Sequence, residues 1–179
     1  MATTVRIWDP FVRVFHWGLV TSFAVAWLTG DEIKSLHIWA GYAAGSLIAL
    51  RLIWGLVGTR YARFSQFVRS PVTAVAYLRD VITGREARYL GHNPVDGLMI
   101  VGLILAMSAV CLTGWMQTTD AYWGVEWVEE AHEALASLML GLVGVHVLGV
   151  VVTSLRHREN LVRAMLTGRK RSPATGDIA

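Results

Sequence analysis

The chain has 179 residues, of which 54% are hydrophobic and only 16% charged, with a mean hydropathy of +0.47. Soluble domains carry about 25% charged residues, so this composition is typical of a protein with a lipid-exposed surface. The net charge of +3 comes from basic residues outside the long apolar runs, which argues against a nucleic-acid-binding face. The single cysteine, Cys111, excludes an internal disulfide, paired CxxC metal motifs and a CxxCH motif.

Four long apolar segments predict transmembrane helices. They cover residues 14–30, 36–57, 97–116 and 131–155. About 20 residues cross the hydrocarbon core, and lipid requires each backbone amide to be satisfied locally, which favours helices over strands. The first segment lacks a clear cleavage site and three spans follow it, so we expect a retained span rather than a signal peptide. The sequence therefore predicts an all-α, integral membrane four-helix bundle over residues 1–171, with a disordered tail over 172–179.

The distribution of basic residues predicts the orientation of these spans. They precede the first span, occupy the loop between the second and third spans, and fill the tail: Arg6, Arg13, Arg60, Arg63, Arg69, Arg79, Arg85, Arg88, Arg156, Arg158, Arg163, Arg169, Lys170 and Arg171. By contrast, loop 31–35 has one lysine, and loop 117–130 has acidic but no basic residues. The positive-inside rule then places both termini and the long loop in the cytoplasm.

The long loop 58–94 has internal structure of its own. Its middle, residues 70–84, combines apolar positions with the basic residue Arg79 and is bounded by Pro71 and Gly84, which predicts an amphipathic helix at the membrane interface. The eight tryptophans mostly lie near span ends, as an aromatic belt requires.

Four of the six histidines lie inside or at the start of predicted spans: His16, His37, His132 and His146. An ionisable residue within a span is costly and indicates a function, although any one of them alone could be a neutral imidazole bonded to a backbone carbonyl or a helix cap. The 14-residue step from His132 to His146 returns to within about 40° of the same helix face and covers about 21 Å. One helix therefore presents two imidazoles in one direction, near opposite sides of the membrane.

The predicted orientation supplies a partner for each of these two imidazoles. The second and fourth spans begin at the periplasm, which puts His37 level with His132. The first span begins at the cytoplasm, which puts His16 level with His146. Paired imidazoles in a helical bundle are typical of bis-histidine b-type haem sites. With both axial positions filled, such an iron transfers electrons and has no position for a substrate.

Neighbouring residues add weaker support. Small residues flank the histidines: Gly18, Gly41, Gly45 and Ala136. They would let a macrocycle lie flat against a helix, but they also serve helix packing in membranes. Arg51 lies 14 residues after His37, and it either snorkels to the interface or pairs with a haem propionate. A zinc site is disfavoured, because the HExxH motif is absent and ligands about 21 Å apart cannot share one metal ion.

Several motifs together resemble the prokaryotic cytochrome b561 family, which is related to the b-type cytochrome subunits of nickel–iron hydrogenases and formate dehydrogenases. They are Trp8-Asp9-Pro10, His16-Trp17, Leu36-His37, Gly91-His92-Asn93-Pro94, His132-Glu133 with His146, and the tail from Arg158 to Lys170. The resemblance covers nearly the whole chain. It implies a four-helix bundle with two non-covalent b haems that exchanges electrons with the quinone pool. It also implies the ligand pairs His16–His146 and His37–His132.

The remaining histidines leave alternatives open. His92 lies in the Gly-His-Asn-Pro turn at the cytoplasmic start of the third span, where it would cap the helix or shape the loop, bond a haem propionate, or line a quinone pocket. His157 lies among charged residues of the tail, and we expect it to be solvated.

The main functional hypothesis is electron transfer between quinone and a periplasmic redox protein such as a c-type cytochrome or a dehydrogenase. The acidic loop 117–130 is the expected docking face. One alternative is a self-contained enzyme that oxidises superoxide and reduces quinone, which would require a positively charged funnel near the periplasmic haem. Others are a cytochrome b subunit of a larger hydrogenase- or reductase-type complex, and a haem-free transporter or structural membrane protein. Lipid and a second copy of the chain are further candidate partners.

Overall fold

The computed structural model describes residues 4–30 and 32–178. In chain order the elements are β1 Thr4–Arg6, α1 Pro10–Thr29, α2 Lys34–Val57, a 3-10 turn Arg60–Ala62, α3 Phe64–Phe67, α4 Pro71–Thr83, α5 Pro94–Met116, α6 Glu126–Arg156, α7 Leu161–Thr167 and β2 Arg169–Arg171. Within these residues, α1, α2, α5 and α6 are each long and apolar enough to cross a membrane. The prediction of an all-α membrane protein with four spans is therefore confirmed.

All four long helices begin earlier than the apolar segments suggested, and in two of them, α1 and α5, an Asx-Pro pair starts the helix. Asp9 accepts a hydrogen bond from the backbone N–H of Val12 at 2.9 Å, and Pro10 is the first residue of α1. Asn93 accepts from the N–H groups of Val95 and Asp96, and Pro94 opens α5. A side-chain acceptor followed by proline is a favourable helix start. Counting apolar residues alone misses this polar first turn.

The chain divides into two compact units. The first consists of Met1–Arg13, Trp54–Val101 and Gly144–Ala179, and the second of Val14–Ile53 and Gly102–Val143. In the second unit the helices approach each other at small residues. A Cβ atom added to Gly18 would lie 3.2 Å from a Leu47 methyl group, and one added to Gly45 would lie 3.6 Å from Cys111 Cβ. Such close contacts are typical of helix packing in membranes.

In the first unit the two ends of the chain pair with each other. β1 and β2 form an antiparallel ribbon in which Thr4 lies opposite Arg171. The carbonyl of Gly168, which ends α7 with a positive φ of 76°, accepts hydrogen bonds from the N–H groups of Ile7 and Trp8. Trp8 is buried in the core of this unit, so it is a packing residue and not part of an aromatic belt.

A buried ionic cluster joins the ribbon to the loop before α5. Arg88, 5% exposed, pairs with Glu159 at 2.9 Å and also with Asp177. Lys170, 6% exposed, lies 3.6 Å from Glu159 and donates to the Tyr89 carbonyl at 3.1 Å. Buried charges are tolerated when they are paired and hydrogen-bonded in this way.

The same cluster corrects the prediction of a disordered tail. The N–H of Ile178 donates to the Arg88 carbonyl, and the N–H of Leu90 donates to the Ile178 carbonyl, each at 2.9 Å. Asp177 accepts from the N–H of Ala174 at 2.8 Å as well as from Arg88. The tail therefore supplies partners for the buried Arg88: the carboxylate of Asp177 pairs with its guanidinium, and the N–H of Ile178 donates to its carbonyl.

We expect Glu159→Gln to free the C-terminal segment. Burial alone would raise the pKa of Glu159, but hydrogen bonds from Arg88 and the Arg171 backbone N–H outweigh it and lower the pKa. Since the pKa is lower in the folded state, this carboxylate stabilises the fold above its unfolded pKa of about 4.3, and the contribution disappears as the pH falls through the lower folded value. Removing one partner of a buried ion pair costs about 3 kcal/mol.

Digestion with carboxypeptidase from pH 7 downwards measures this effect. The Glu159→Gln variant should be cleaved at pH 7 at a rate that the wild type reaches only in acid. Asp80→Asn, which neutralises an exposed acid of α4, should behave as the wild type. Equal cleavage rates for Glu159→Gln and the wild type at pH 7 would contradict the assigned role of the cluster.

Candidate functional site

His37 and His132 come together in the second unit. His37 lies in the first turn of α2 and His132 in the second turn of α6. The centroids of their rings are 6.0 Å apart, and the ring planes cross at 80°. The two imidazoles that the sequence predicted to lie at the same level are therefore neighbours in the structure.

A backbone carbonyl orients each ring. The Nδ1 atom of His37 lies 2.8 Å from the Ala26 carbonyl on α1, and that of His132 lies 3.1 Å from the Val110 carbonyl on α5. A carbonyl oxygen can only accept, so Nδ1 carries the proton and donates, which leaves the Nε2 lone pair of each ring for a metal. Histidines that bind metals usually donate their other ring N–H to a carbonyl or carboxylate in this way.

Two residues of α5 that the sequence analysis did not single out complete the surroundings of His132. The Thr113 hydroxyl lies 3.1 Å from His132 Nδ1 and 2.9 Å from the Ala109 carbonyl. Since that carbonyl takes the hydroxyl proton, the Thr113 oxygen can accept from the imidazole. A Cβ added to Gly114 would lie 3.0 Å from His132 Cε1. No spacing pattern links a Thr-Gly pair on one helix with a histidine on another, so sequence alone gives no signal for them.

A cavity lies beside the two histidines within the second unit, and side chains from all four long helices line it. The lining is largely apolar and includes Trp27, Gly41, Met107, Cys111, Trp115 and Ala136. A Cβ added to Gly41 would meet no atom within 4 Å, so the space beside it is open. Gly41 and Ala136 are two of the small residues expected to make room for a macrocycle.

These residues fit a haem held by two histidines. An imidazole nitrogen binds a first-row metal at about 2 Å, so two imidazoles on opposite sides of one ion have ring centroids about 6 Å apart. The observed separation is 6.0 Å, both Nε2 atoms are available, and the walls are apolar. Among residues 4–30 and 32–178 no cluster of three or more His, Cys, Asp or Glu side chains is suited to another metal centre.

The second predicted ligand pair is divided between the units. His16 belongs to the second unit and His146 to the first, so their pairing stays a prediction. The ring of His16 packs edge-on against Trp17, with centroids 5.0 Å apart. Arg51 is only 3% exposed, and its guanidinium carbon lies 5.9 Å from the centre of the Phe15 ring. This burial disfavours the snorkelling alternative for Arg51.

His92 lies in the first unit between two aromatic rings. Its ring centroid is 4.5 Å from that of Trp8 and 4.9 Å from that of Phe67. Asn93, one residue later, caps α5. The short amide side chain of Asn93 thus reaches the N–H groups at the start of α5, and the ring contacts of His92 are those of a residue packed in the loop, which is one of the alternatives expected for it. Its predicted contact with a propionate or quinone stays a prediction. His157 is half-buried and not fully solvated.

The acidic loop presents charge and aromatic surface together in the second unit. Glu126, Glu129 and Glu130 are exposed at the start of α6, where negative charge stabilises the helix dipole. Trp127 is also exposed. Lys34, the lysine of the other short loop, places its ammonium group 4.8 Å from the centre of the Trp123 ring. The exposed surface of this loop is therefore mostly negative.

Comparison with known proteins identifies the family. The model of the family described as prokaryotic cytochrome b561 matches residues 7–168. The chain belongs to that family. A probable Ni/Fe-hydrogenase B-type cytochrome subunit of Rhodobacter capsulatus is 21% identical, over 94% of this chain and 82% of the relative. A relative of the same description in Bradyrhizobium diazoefficiens is 22% identical, over 93% and 86%.

A third relative, a probable Ni/Fe-hydrogenase 1 B-type cytochrome subunit of Escherichia coli K12, is 24% identical over 60% of this chain and 57% of the relative. No solved structure gives a significant match. This cytochrome b561 is thus a multi-pass inner-membrane protein that binds haem b and functions in electron transfer.

We expect Gly114→Val to lower the haem content of the protein, because its side chain would occupy the place of the His132 ring. Gly102→Val is the matched control: Gly102 lies on the same helix, and a Cβ there meets no atom within 4 Å. The haem-to-protein ratio of purified protein, taken from the absorbance of the pyridine complex, gives the result. A normal ratio in Gly114→Val would show that contact of this glycine with the ring is not needed for haem binding.

Proposed function

We propose that this cytochrome holds two b-type haems, each between two histidines, and passes electrons between a periplasmic redox partner and quinone at the cytoplasmic side. The observation that carries the proposal is the pair His37–His132. Its ring separation of 6.0 Å and the hydrogen bonds from both Nδ1 atoms to backbone carbonyls suit two histidines that would together hold one haem iron.

The protein would hold the haem, orient the histidines that bind it, and exclude water and substrates from the iron. Bound haem supplies a one-electron carrier. His37 and His132 would both bind the haem iron, which would leave no position for oxygen or a substrate. The apolar cavity wall, including Trp27 and Trp115, keeps water away and lowers the local dielectric, which influences the reduction potential.

The second haem is proposed to lie between His16 and His146. It is supported by the 14-residue step between His132 and His146 on α6 and by the family to which the chain belongs. A buried guanidinium is stabilised by carboxylates, so Arg51 is a suitable partner for a haem propionate. His92, packed between Trp8 and Phe67, is proposed to contact a propionate or the quinone.

The direction of the spans is proposed from the charge distribution, with both termini in the cytoplasm. The acidic loop 117–130 would then face the periplasm and bind a basic redox protein, such as a c-type cytochrome. A complex with a hydrogenase-type enzyme is the second candidate, because the relatives named above are described as hydrogenase cytochrome subunits.

Single His→Leu variants test the number of haems and their ligands. His37→Leu and His132→Leu should each remove the same haem, so the double variant should lose no more haem than either single one. His16→Leu and His146→Leu should remove the other. His157→Leu, in the tail, serves as the control. The haem-to-protein ratio and redox titration of the reduced-minus-oxidised spectrum distinguish the two haems; full haem content in His132→Leu would refute the pairing.

Charge reversal of the acidic loop tests the partner. Replacing Glu126, Glu129 and Glu130 by Lys should slow haem reduction by a reduced basic c-type cytochrome about tenfold or more at low salt, because electrostatic steering is lost. The corresponding Gln variant should be intermediate, and it controls for the start of α6. Stopped-flow absorbance across a salt series gives the rates. Identical rates that do not respond to salt would exclude this face as the docking site.

A further inference from the structure

α4 is a well-defined helix in the loop between the second and third spans. Ser70 accepts a hydrogen bond from the N–H of Thr73 at 3.2 Å, Pro71 is the first helical residue, and Gly84 ends the helix with a φ of 71°. Its 13 residues extend about 20 Å. The helix is thus too short to cross a membrane, and its start and end are set by its own sequence.

The helix has one face turned to the protein and another that is free of it. Ala74 and Tyr77 are buried in the first unit. Four further apolar side chains lie on a different face and are exposed: Val72, Val75, Leu78 and Ile82. Val72 is 79% exposed and Ile82 77%. The protein itself therefore leaves four apolar side chains on one face of α4 uncovered.

Contacts of α4 place it level with the ends of two spans. Burial, followed by the negative charge of Asp96 in the first turn of α5, raises the pKa of Tyr77. At the other end, a Cβ on Gly84 would lie 3.7 Å from the guanidinium of Arg156, the last residue of α6. Arg156 in turn pairs with Glu86 at 2.5 Å. α4 therefore lies where α5 begins and α6 ends, at the depth of the boundary between lipid and water.

Arginines accompany the exposed apolar face. Arg69, Arg79 and Arg85 are all exposed. At 100° per residue, Arg79 falls between Val72 and Val75 on the helix surface, whereas Asp80 falls outside that sector. An exposed apolar face bordered by arginine is the arrangement that binds a membrane surface containing anionic lipid.

We propose that α4 is a lipid-binding helix: Val72, Val75, Leu78 and Ile82 enter the membrane interface, and Arg69, Arg79 and Arg85 bind the phosphates of anionic headgroups. The sequence predicted an amphipathic helix here. The structure identifies the free face, its depth and the cationic residues. This surface is independent of the haem sites, so the proposal does not rest on the proposed function.

A site-specific fluorophore tests the position of the helix. In a Cys111→Ala background, the full-length protein carries one label at Val75→Cys or, as the control on another face, at Asp80→Cys. Each is reconstituted in nanodiscs of phosphatidylcholine with phosphatidylglycerol brominated on its acyl chains. Label at position 75 should be quenched several-fold more than label at position 80. Equal quenching at both positions would overturn the proposal.

Headgroup selectivity is tested separately. Arg69→Gln, Arg79→Gln and Arg85→Gln combined should abolish the preference for phosphatidylglycerol over phosphatidylcholine, measured as lipid retained per chain by native mass spectrometry. Arg163→Gln, an exposed arginine of α7, should keep that preference. An unchanged preference in the triple variant would overturn the role of the arginines. A second copy of the chain is the other possible occupant of this face. If unlabelled Val75→Cys copies form a disulfide with each other in one nanodisc, and the labelled protein shows no quenching, the face binds a second copy and the lipid proposal is overturned.

Discussion

The candidate haem site depends on helix carbonyls that accept hydrogen bonds from histidine side chains. In lipid each backbone group must be satisfied within the protein, and a carbonyl oxygen has two lone pairs. Val110 lies inside α5, so its carbonyl accepts from His132 with a second lone pair, whereas Ala26 lies in the last turn of α1, where carbonyls lack helical partners, and accepts from His37. The ligands stand on α2 and α6, while their orientation comes from α1 and α5. All four long helices are therefore needed for one pair of imidazoles.

Buried polar groups have different kinds of partner in the two units. In the second unit, the orienting acceptors of the two imidazoles are two backbone carbonyls and one hydroxyl, that of Thr113. In the first unit, charged groups compensate each other: Glu159 is shared by Arg88 and Lys170. Neutral acceptors suit a site in the low-dielectric interior, where unpaired charge is costly. In the ionic cluster, each buried charge has an opposite charge beside it, which offsets the cost of its burial.

Much of this fold could be predicted from the sequence because the membrane imposes simple rules. The length of the apolar segments gave four spans, and the spacing of His132 from His146, with the charge distribution, gave the pair His37–His132. What could not be predicted depends on contacts between distant residues. The tail looked disordered because the partners of Asp177 and Ile178 lie at Arg88 and Leu90. Asn93 caps α5 because its short amide reaches the N–H groups, and Thr113 and Gly114 become relevant only once α5 and α6 are packed.

The ribbon between β1 and β2 has a consequence for the order of assembly. Thr4 pairs with Arg171, so β1 must wait for a strand that follows all four long helices in the chain. Contacts of such large sequence separation form late. The helices can enter the membrane as they are made, but the ribbon closes only after the last of them has been made. Until then β1 stays without its partner strand, so the order of the elements along the chain makes the ribbon one of the last parts of the first unit to form.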